Sequence, residues 1–536
     1  MLVRALVMDL LMVLVWGVGA APGPPGRAGP AGGAVRGRPA PRPPHHAYLG
    51  IPYARHSRND RFKAPKPARS WDGTFEAAYQ IKCPQPDGSG TEDCLVVNVF
   101  SPEGADARPV LVVVHGGNFQ RGWGAHRPPA RLLARGFVVV TFNYRLGSLG
   151  FLCLGIPEAP GNAGLKDQVA ALYWVHKNIA HFGGDPLDVT LYGIESGAAA
   201  VQLVMLSEAA TGLFHKVILE SGSALSPLAL AYDPKLTAFD AAIAVGYTGT
   251  DSVEELAKFY KDLPLERLVN TSTMFLPCLE NNLATTHSLL DTDPLEIYKQ
   301  GNYQKVPMII AYATSVGASA IETEIANSNL SENFADLLPN NLAFDDSKMK
   351  HRVAEVVKEF YLGNNVLDGD LVKNYLEYFS DVTFEFPIVK SAVLHAATGY
   401  LPVYLMKFSN KGIITNAEEN KANYRSFFDY MYDDHEFAKD QLIVEQLVTL
   451  WSNFIMIGDP TPLTTSLIPV VWPPLRPGDN PRGMNVKTVP GLIYGRSLQL
   501  SEQLANDRIL FWDQIYRTFY RLHVPSFDTE SKESES

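Results

Sequence analysis

The chain has 536 residues, 46% of them apolar and 19% charged, with a formal net charge of −11. That apolar fraction is enough to bury a large core and excludes a disordered or fibrous chain. The acidic balance leaves no basic stripe beyond the Pro-rich start, which excludes nucleic acid as a partner class.

Taken in chain order, Met1 to Ala21 place Arg4 ahead of an apolar run from Leu10 to Val18 that ends in small residues, the pattern of a secretory signal peptide. Asp9 stands at the edge of that run. Residues 22–44 are Pro, Gly, Arg and Ala with hardly a large apolar side chain, so a flexible segment is expected there. One globular domain is expected over residues 45–524, followed by an acidic, Ser-rich tail at 525–536. No later apolar run reaches the roughly 18–20 residues needed to cross a bilayer, so no membrane span is expected.

Within the domain, Leu95 to Phe100, Val110 to Val114 and Phe137 to Asn143 read as strands. Val169 to Ile179 has helical periodicity. It leads through Phe182-Gly183-Gly184-Asp185-Pro186 into the strand Val189 to Tyr192 and the small-residue stretch from Gly193 to Ala200, which predicts a strand, a tight elbow and a helix. Further strands are expected at Val217 to Leu219, Val306 to Ile310 and Val403 to Met406, with a helical region from Ser252 to Val269 between the first two. Gln441 to Ile457 carries Leu447, Leu450, Trp451 and Phe454 on one helical face and stops at Gly458. The alternation predicts an α/β fold, a large mixed and mostly parallel sheet flanked by helices. Four cysteines are few for this length: Cys83 and Cys94 are near enough to close a short loop, and Cys153 and Cys278 read as buried thiols. Asn270 and Asn329 open glycosylation tripeptides. No metal or cofactor motif is found.

Several blocks together resemble the type-B carboxylesterase family, the group of cholinesterases, insect esterases and neuroligin-like adhesion proteins. They are Tyr48-Leu49-Gly50-Ile51-Pro52-Tyr53-Ala54, Glu92-Asp93-Cys94-Leu95, His115-Gly116-Gly117-Asn118-Phe119, Asn143-Tyr144-Arg145-Leu146-Gly147 and Gly161 to Gln168. Phe182 to Pro186, Glu220-Ser221-Gly222-Ser223, Leu450 to Phe454 and Trp472-Pro473-Pro474 continue the match. The resemblance implies the α/β-hydrolase fold, a Cys83–Cys94 disulfide and a buried ion pair between Glu92 and Arg145. The Pro-rich Arg38 to Pro44, where the family has strand, cannot supply ladder N–H groups and argues against an N-terminal hairpin.

Ester hydrolysis in that fold uses a Ser on a G-x-S-x-G elbow, a His to take its proton and an acid to orient the His. The elbow here reads Gly193-Ile194-Glu195-Ser196-Gly197, which puts Glu195 at the nucleophile position. By the same resemblance Val316 stands at the acid position and Tyr424 at the base position. Sliding the register by one would make Ser196 the nucleophile, with His435 as the nearby base, but would break the glycine spacing. Gly116, Gly117 and the Ser196 amide match the oxyanion-hole scaffold, whether kept for a ligand or only for the turn. Glu195 could itself accept those N–H groups and fill the hole from within. The expectation from a triad altered in this way is a secreted, non-catalytic protein resembling glutactin or neurotactin, with an extracellular protein partner. The alternatives are a carrier of small apolar ligands in the former acyl gorge, or an ester hydrolase working through Ser196.

Overall fold

A computed structural model of the chain describes residues 27–523 apart from 29–31, 125–126, 271, 282, 284–287, 314–333, 364–367, 409–426, 433–440, 477–488 and 496. The expected signal peptide, the acidic tail, Val316, Asn329, Tyr424 and His435 lie outside the described residues.

The core of the fold is an eleven-stranded sheet. Its strands in chain order are β1 (Arg38–Pro41), β2 (Pro44–Pro52), β3 (Val96–Pro102), β4 (Arg108–Val114), β5 (Val138–Phe142), β6 (Gly184–Ile194), β7 (Lys216–Glu220), β8 (Met308–Ala313), β9 (Val403–Phe408), β10 (Gly491–Tyr494) and β11 (Leu498–Ser501). In space they run β1-β2-β3-β5-β4-β6-β7-β8-β9-β10-β11. The pairings from β5 to β10 are parallel and those at both edges antiparallel. This is the large, mostly parallel sheet expected from the alternation of apolar runs.

Successive residues of each central strand point to opposite faces, and both faces are covered, so the strands read as unbroken apolar runs. Val110, Val112, Val217, Leu219, Met308 and Ile310 enter one core. Leu111, Val113, Ile218 and Ile309 enter the other. The second core is closed by the helix Gln441–Ile457, whose Leu447, Leu450, Trp451 and Phe454 are all buried as the periodicity predicts. Gly458, with φ 76°, ends it.

Four expectations are corrected. Residues 22–44 are not uniformly flexible: Arg27–Ala28, Ala34–Arg36 and Thr74–Glu76 form a small sheet, and β1 pairs antiparallel with β2. The prolines of β1 are accommodated because β1 is the sheet's edge strand, where one row of N–H groups has no ladder partner to lose. The helical region from Ser252 to Val269 is two helices, Val253–Asp262 and Leu265–Val269, broken at Pro264, which lacks an N–H. Arg145 does not pair with Glu92; it holds Asp167, while Glu92 takes Arg61. Finally, Cys153 and Cys278 are not thiols but a disulfide. A half-cystine buried in apolar surroundings looks like a buried thiol from its neighbours, and these two lie 125 residues apart.

Cys83 and Cys94 are bonded to each other as the resemblance implies. Cross-linking a loop of this length removes chain entropy from the unfolded state worth about 2–3 kcal/mol. The Cys83→Ser, Cys94→Ser double variant is therefore expected to lose about that much stability in denaturant unfolding with the second disulfide kept oxidised.

Candidate active site at the strand-to-helix elbow

In an open α/β sheet, ligands gather beyond the carboxyl ends of the parallel strands, where backbone N–H groups and helix starts converge. Here β4 and β6 are neighbours, with Val114 opposite Gly193, so the segments that follow them emerge side by side. The first is His115-Gly116-Gly117 and the second is Glu195, which leads directly into the helix α1 (Ser196–Leu206).

Glu195 has φ 51° and ψ −119°, a strained conformation that side chains other than Gly rarely adopt. Ser196 is the first residue of α1. The apex of the elbow is thus Glu195, and the glycines show why the register is fixed. A Cβ on Gly193 would fall 2.5 Å from the Gly197 carbonyl oxygen, and one on Gly197 would fall 2.6 Å from that of His115. Neither position tolerates a side chain, so helix, elbow and loop approach as closely as they do only with this spacing.

The Glu195 side chain turns toward the glycine loop. A Cβ on Gly116 would sit 3.0 Å from its Oε2, and the carboxylate accepts the Gly117 N–H. Of the two glycine N–H groups expected to line the hole, the carboxylate thus meets that of Gly117. Burial pushes the Glu195 carboxyl above the ordinary glutamate value, with Arg121 and the Gly117 N–H opposing and Asp429 adding to the rise. The Ser196 hydroxyl accepts the Phe119 N–H at 3.4 Å.

The surroundings hold the loop in place. The His115 ring stacks on Tyr144 with centroids 4.4 Å apart, and the Tyr144 hydroxyl donates to the His115 carbonyl at 2.8 Å. Burial lowers the His115 pKa to about 4, so its imidazole is neutral at ordinary pH. Glu220, buried at the end of β7, accepts the Tyr192 hydroxyl at 2.6 Å and the Phe427 N–H at 2.7 Å. The latter bond ties down the turn Phe427–Met431, and with it Asp429.

Glu195, Gly116, Gly117, Arg121, Trp123 and Asp429 line one open cleft of about 450 Å³. Sequence reasoning found Glu195 and both glycines but not Arg121, Trp123 or Asp429. No spacing marks Asp429, a residue delivered to the cleft from so far along the chain. Val316, Tyr424 and His435, proposed for the acid and base positions, lie outside the described residues. Asn270 is exposed at the end of its helix. Among the described residues there is no cluster of metal-ligating side chains, and no helix is long and apolar enough to cross a membrane.

The model of the Carboxylesterase family matches residues 29–512. The chain belongs to the carboxylesterase family. It is 32% identical to juvenile hormone esterase of Heliothis virescens over 407 residues, 68% of this chain and 70% of that protein. It is 30% identical to juvenile hormone esterase of Tribolium castaneum over 471 residues, 78% and 80% of the two chains, and 29% identical to esterase E4 of Myzus persicae over 77% and 82%. The crystal structure of juvenile hormone esterase from Manduca sexta, with OTFP covalently attached, superposes with a TM-score of 0.79 at 26% identity, over 92% of this chain and 99% of that one.

These relatives overturn the expectation that the chain is not an enzyme. That expectation took the altered nucleophile, acid and base positions together as the loss of the reaction, whereas carboxylesterase-family proteins matching most of the chain bear the names of esterases. The reading as an adhesion module rested on the same premise and loses its support with it.

Proposed function

We propose that this carboxylesterase-family chain hydrolyses carboxylic esters at the elbow, with Glu195 as the general base that activates water. The observation that carries the proposal is the Glu195 side chain: it sits on the strained apex, opens onto the cleft, touches the oxyanion loop and has a pKa raised by burial. A raised pKa makes a carboxylate a stronger base, closer to the range in which general bases work. Water adds to the ester carbonyl carbon and gives its proton to Glu195. The Gly117 N–H, released by the carboxylate as it takes the water, and the Gly116 N–H beside it stabilise the oxyanion that forms. Collapse breaks the bond to the alkoxy oxygen, and Glu195 returns the proton to the departing alcohol.

The proposal differs from serine chemistry in a way that can be seen directly. The Manduca sexta enzyme carries OTFP covalently; Glu195 has no hydroxyl to attack it, so OTFP is expected to leave no covalent mass on this chain. The test is hydrolysis of p-nitrophenyl butyrate as a function of pH. Because only ionised Glu195 accepts a proton and its pKa is raised, kcat/KM should climb with pH through a midpoint above the ordinary glutamate range. A purified, folded protein with no turnover at any pH would sink the proposal.

Two disulfides, Cys83–Cys94 and Cys153–Cys278, support an oxidising compartment, and we propose that the protein is secreted.

A further inference from the structure

A larger cleft lies apart from the elbow. It measures about 1040 Å³, and among the described residues none that lines it also lines the cleft at Glu195. Its walls come from the segment around Trp71 and from the exposed side of the helix Ala163–Asn178. Trp71 is fixed by its indole N–H, which donates to the Ala34 carbonyl at 2.9 Å. Tyr173 is 55% exposed, while Trp174, Leu213 and Leu289 are buried behind it. This is a broad apolar and aromatic surface left open on one side.

Lys66, Arg69, Lys166 and Lys177 line the cleft, and among the described residues no Asp or Glu lines it. Lys66 is held by Asp60 and Lys166 by the buried Glu280. Arg69 and Lys177 are exposed and, among the described residues, have no carboxylate partner. The Lys177 ammonium lies 5.3 Å from the centre of the Tyr173 ring, which places that cation beside the aromatic wall.

We propose that this cleft is a second binding site, for an amphipathic carboxylate such as a medium- or long-chain fatty acid anion. The chain lies on Trp71, Tyr173 and Leu289, and the head group meets Arg69 and Lys177. An uncharged apolar ligand would use the walls but leave the two cations without a counter-charge. A cationic one would be repelled. The site is independent of the ester chemistry proposed for Glu195, and the full chain can be tested for it without any turnover.

The experiment is calorimetric titration of the full chain with sodium decanoate below its micellar concentration. One decanoate should bind per chain. The Arg69→Glu, Lys177→Glu double variant should weaken binding at least tenfold, as should replacing decanoate by 1-decanol. Trp71→Ala should also weaken it, and Glu195→Gln should leave it unchanged. Both charge reversals are at exposed positions, and an unaltered thermal midpoint verifies that the variant is folded. Absence of binding, binding indifferent to the charge reversal, or binding lost in Glu195→Gln would each overturn the proposal, the last by placing decanoate at the elbow.

Discussion

Replacing Glu195 by Gln is expected to lower kcat/KM for p-nitrophenyl butyrate by about 10²- to 10⁴-fold, the range a positioned general base contributes. Gln is nearly isosteric and can still accept the Gly117 N–H through its carbonyl, so the elbow and the oxyanion loop should keep their shape. What disappears is the capacity to take a proton from water, and with it the rise of rate with pH. Stability should move the other way. Burial raises the folded-state pKa of Glu195 above its unfolded value, so the unfolded chain gives up this proton first, and the wild type loses stability as pH climbs between the two pKa values. The Gln variant lacks that term and should be at least as stable as the wild type above this window. A variant that lost activity merely by unfolding would show the opposite. Ser196→Ala should keep most of the activity, since the Ser196 hydroxyl only accepts the Phe119 N–H. If Ser196→Ala abolishes turnover and Glu195→Gln does not, the nucleophile is Ser196 and the register assigned to the elbow chemistry is wrong.

Removing Asp167 is expected to cause the largest loss of stability, about 3–5 kcal/mol. Arg145 and Asp167 are fully buried and meet through two parallel bonds, Nε to Oδ2 at 2.7 Å and Nη2 to Oδ1 at 2.6 Å. Asp167 Oδ2 also accepts the Arg145 backbone N–H at 3.0 Å, and the Arg145 guanidinium donates to the Arg61 carbonyl. Asp167→Ala would leave the guanidinium buried without a counter-charge, and desolvation, not the lost attraction, sets the size of the effect. Denaturant unfolding of the variant gives the number. Asp167→Leu combined with Arg145→Met removes both charges together and should recover a large part of the loss, because an apolar pair of similar volume carries no buried charge. If the double variant is no better than Asp167→Ala, the cost lies in the lost hydrogen bonds to the backbone.

The parts of this fold that could be read from the sequence are those governed by local pattern. The unbroken apolar runs of β4 to β9 follow from a sheet covered on both faces, and the face carrying Leu447, Leu450, Trp451 and Phe454 follows from helical period. Glu195 at the elbow apex could be read because two glycines flank it at a spacing that close packing enforces. What could not be read depends on which distant segments meet. Nothing near Arg145 in sequence says that its partner is Asp167 instead of Glu92. The context of Cys153 does not reveal Cys278, and Asp429 reaches the cleft from a distant turn whose Phe427 N–H Glu220 accepts. The prolines of β1 misled for a related reason: a proline excludes a central strand but not an edge, and edge position is a property of the whole sheet.

The mechanism is tested most directly by following the oxygen. Turnover of p-nitrophenyl butyrate in water enriched in oxygen-18, with mass analysis of both the butyrate and the peptide containing Gly193 to Gly197, separates water attack from covalent catalysis. Direct attack by water puts the label in the butyrate and leaves no butyryl group and no label on the peptide at any time during turnover. A butyryl group trapped on Ser196, or oxygen-18 built into the Glu195 carboxylate through an anhydride, would contradict it.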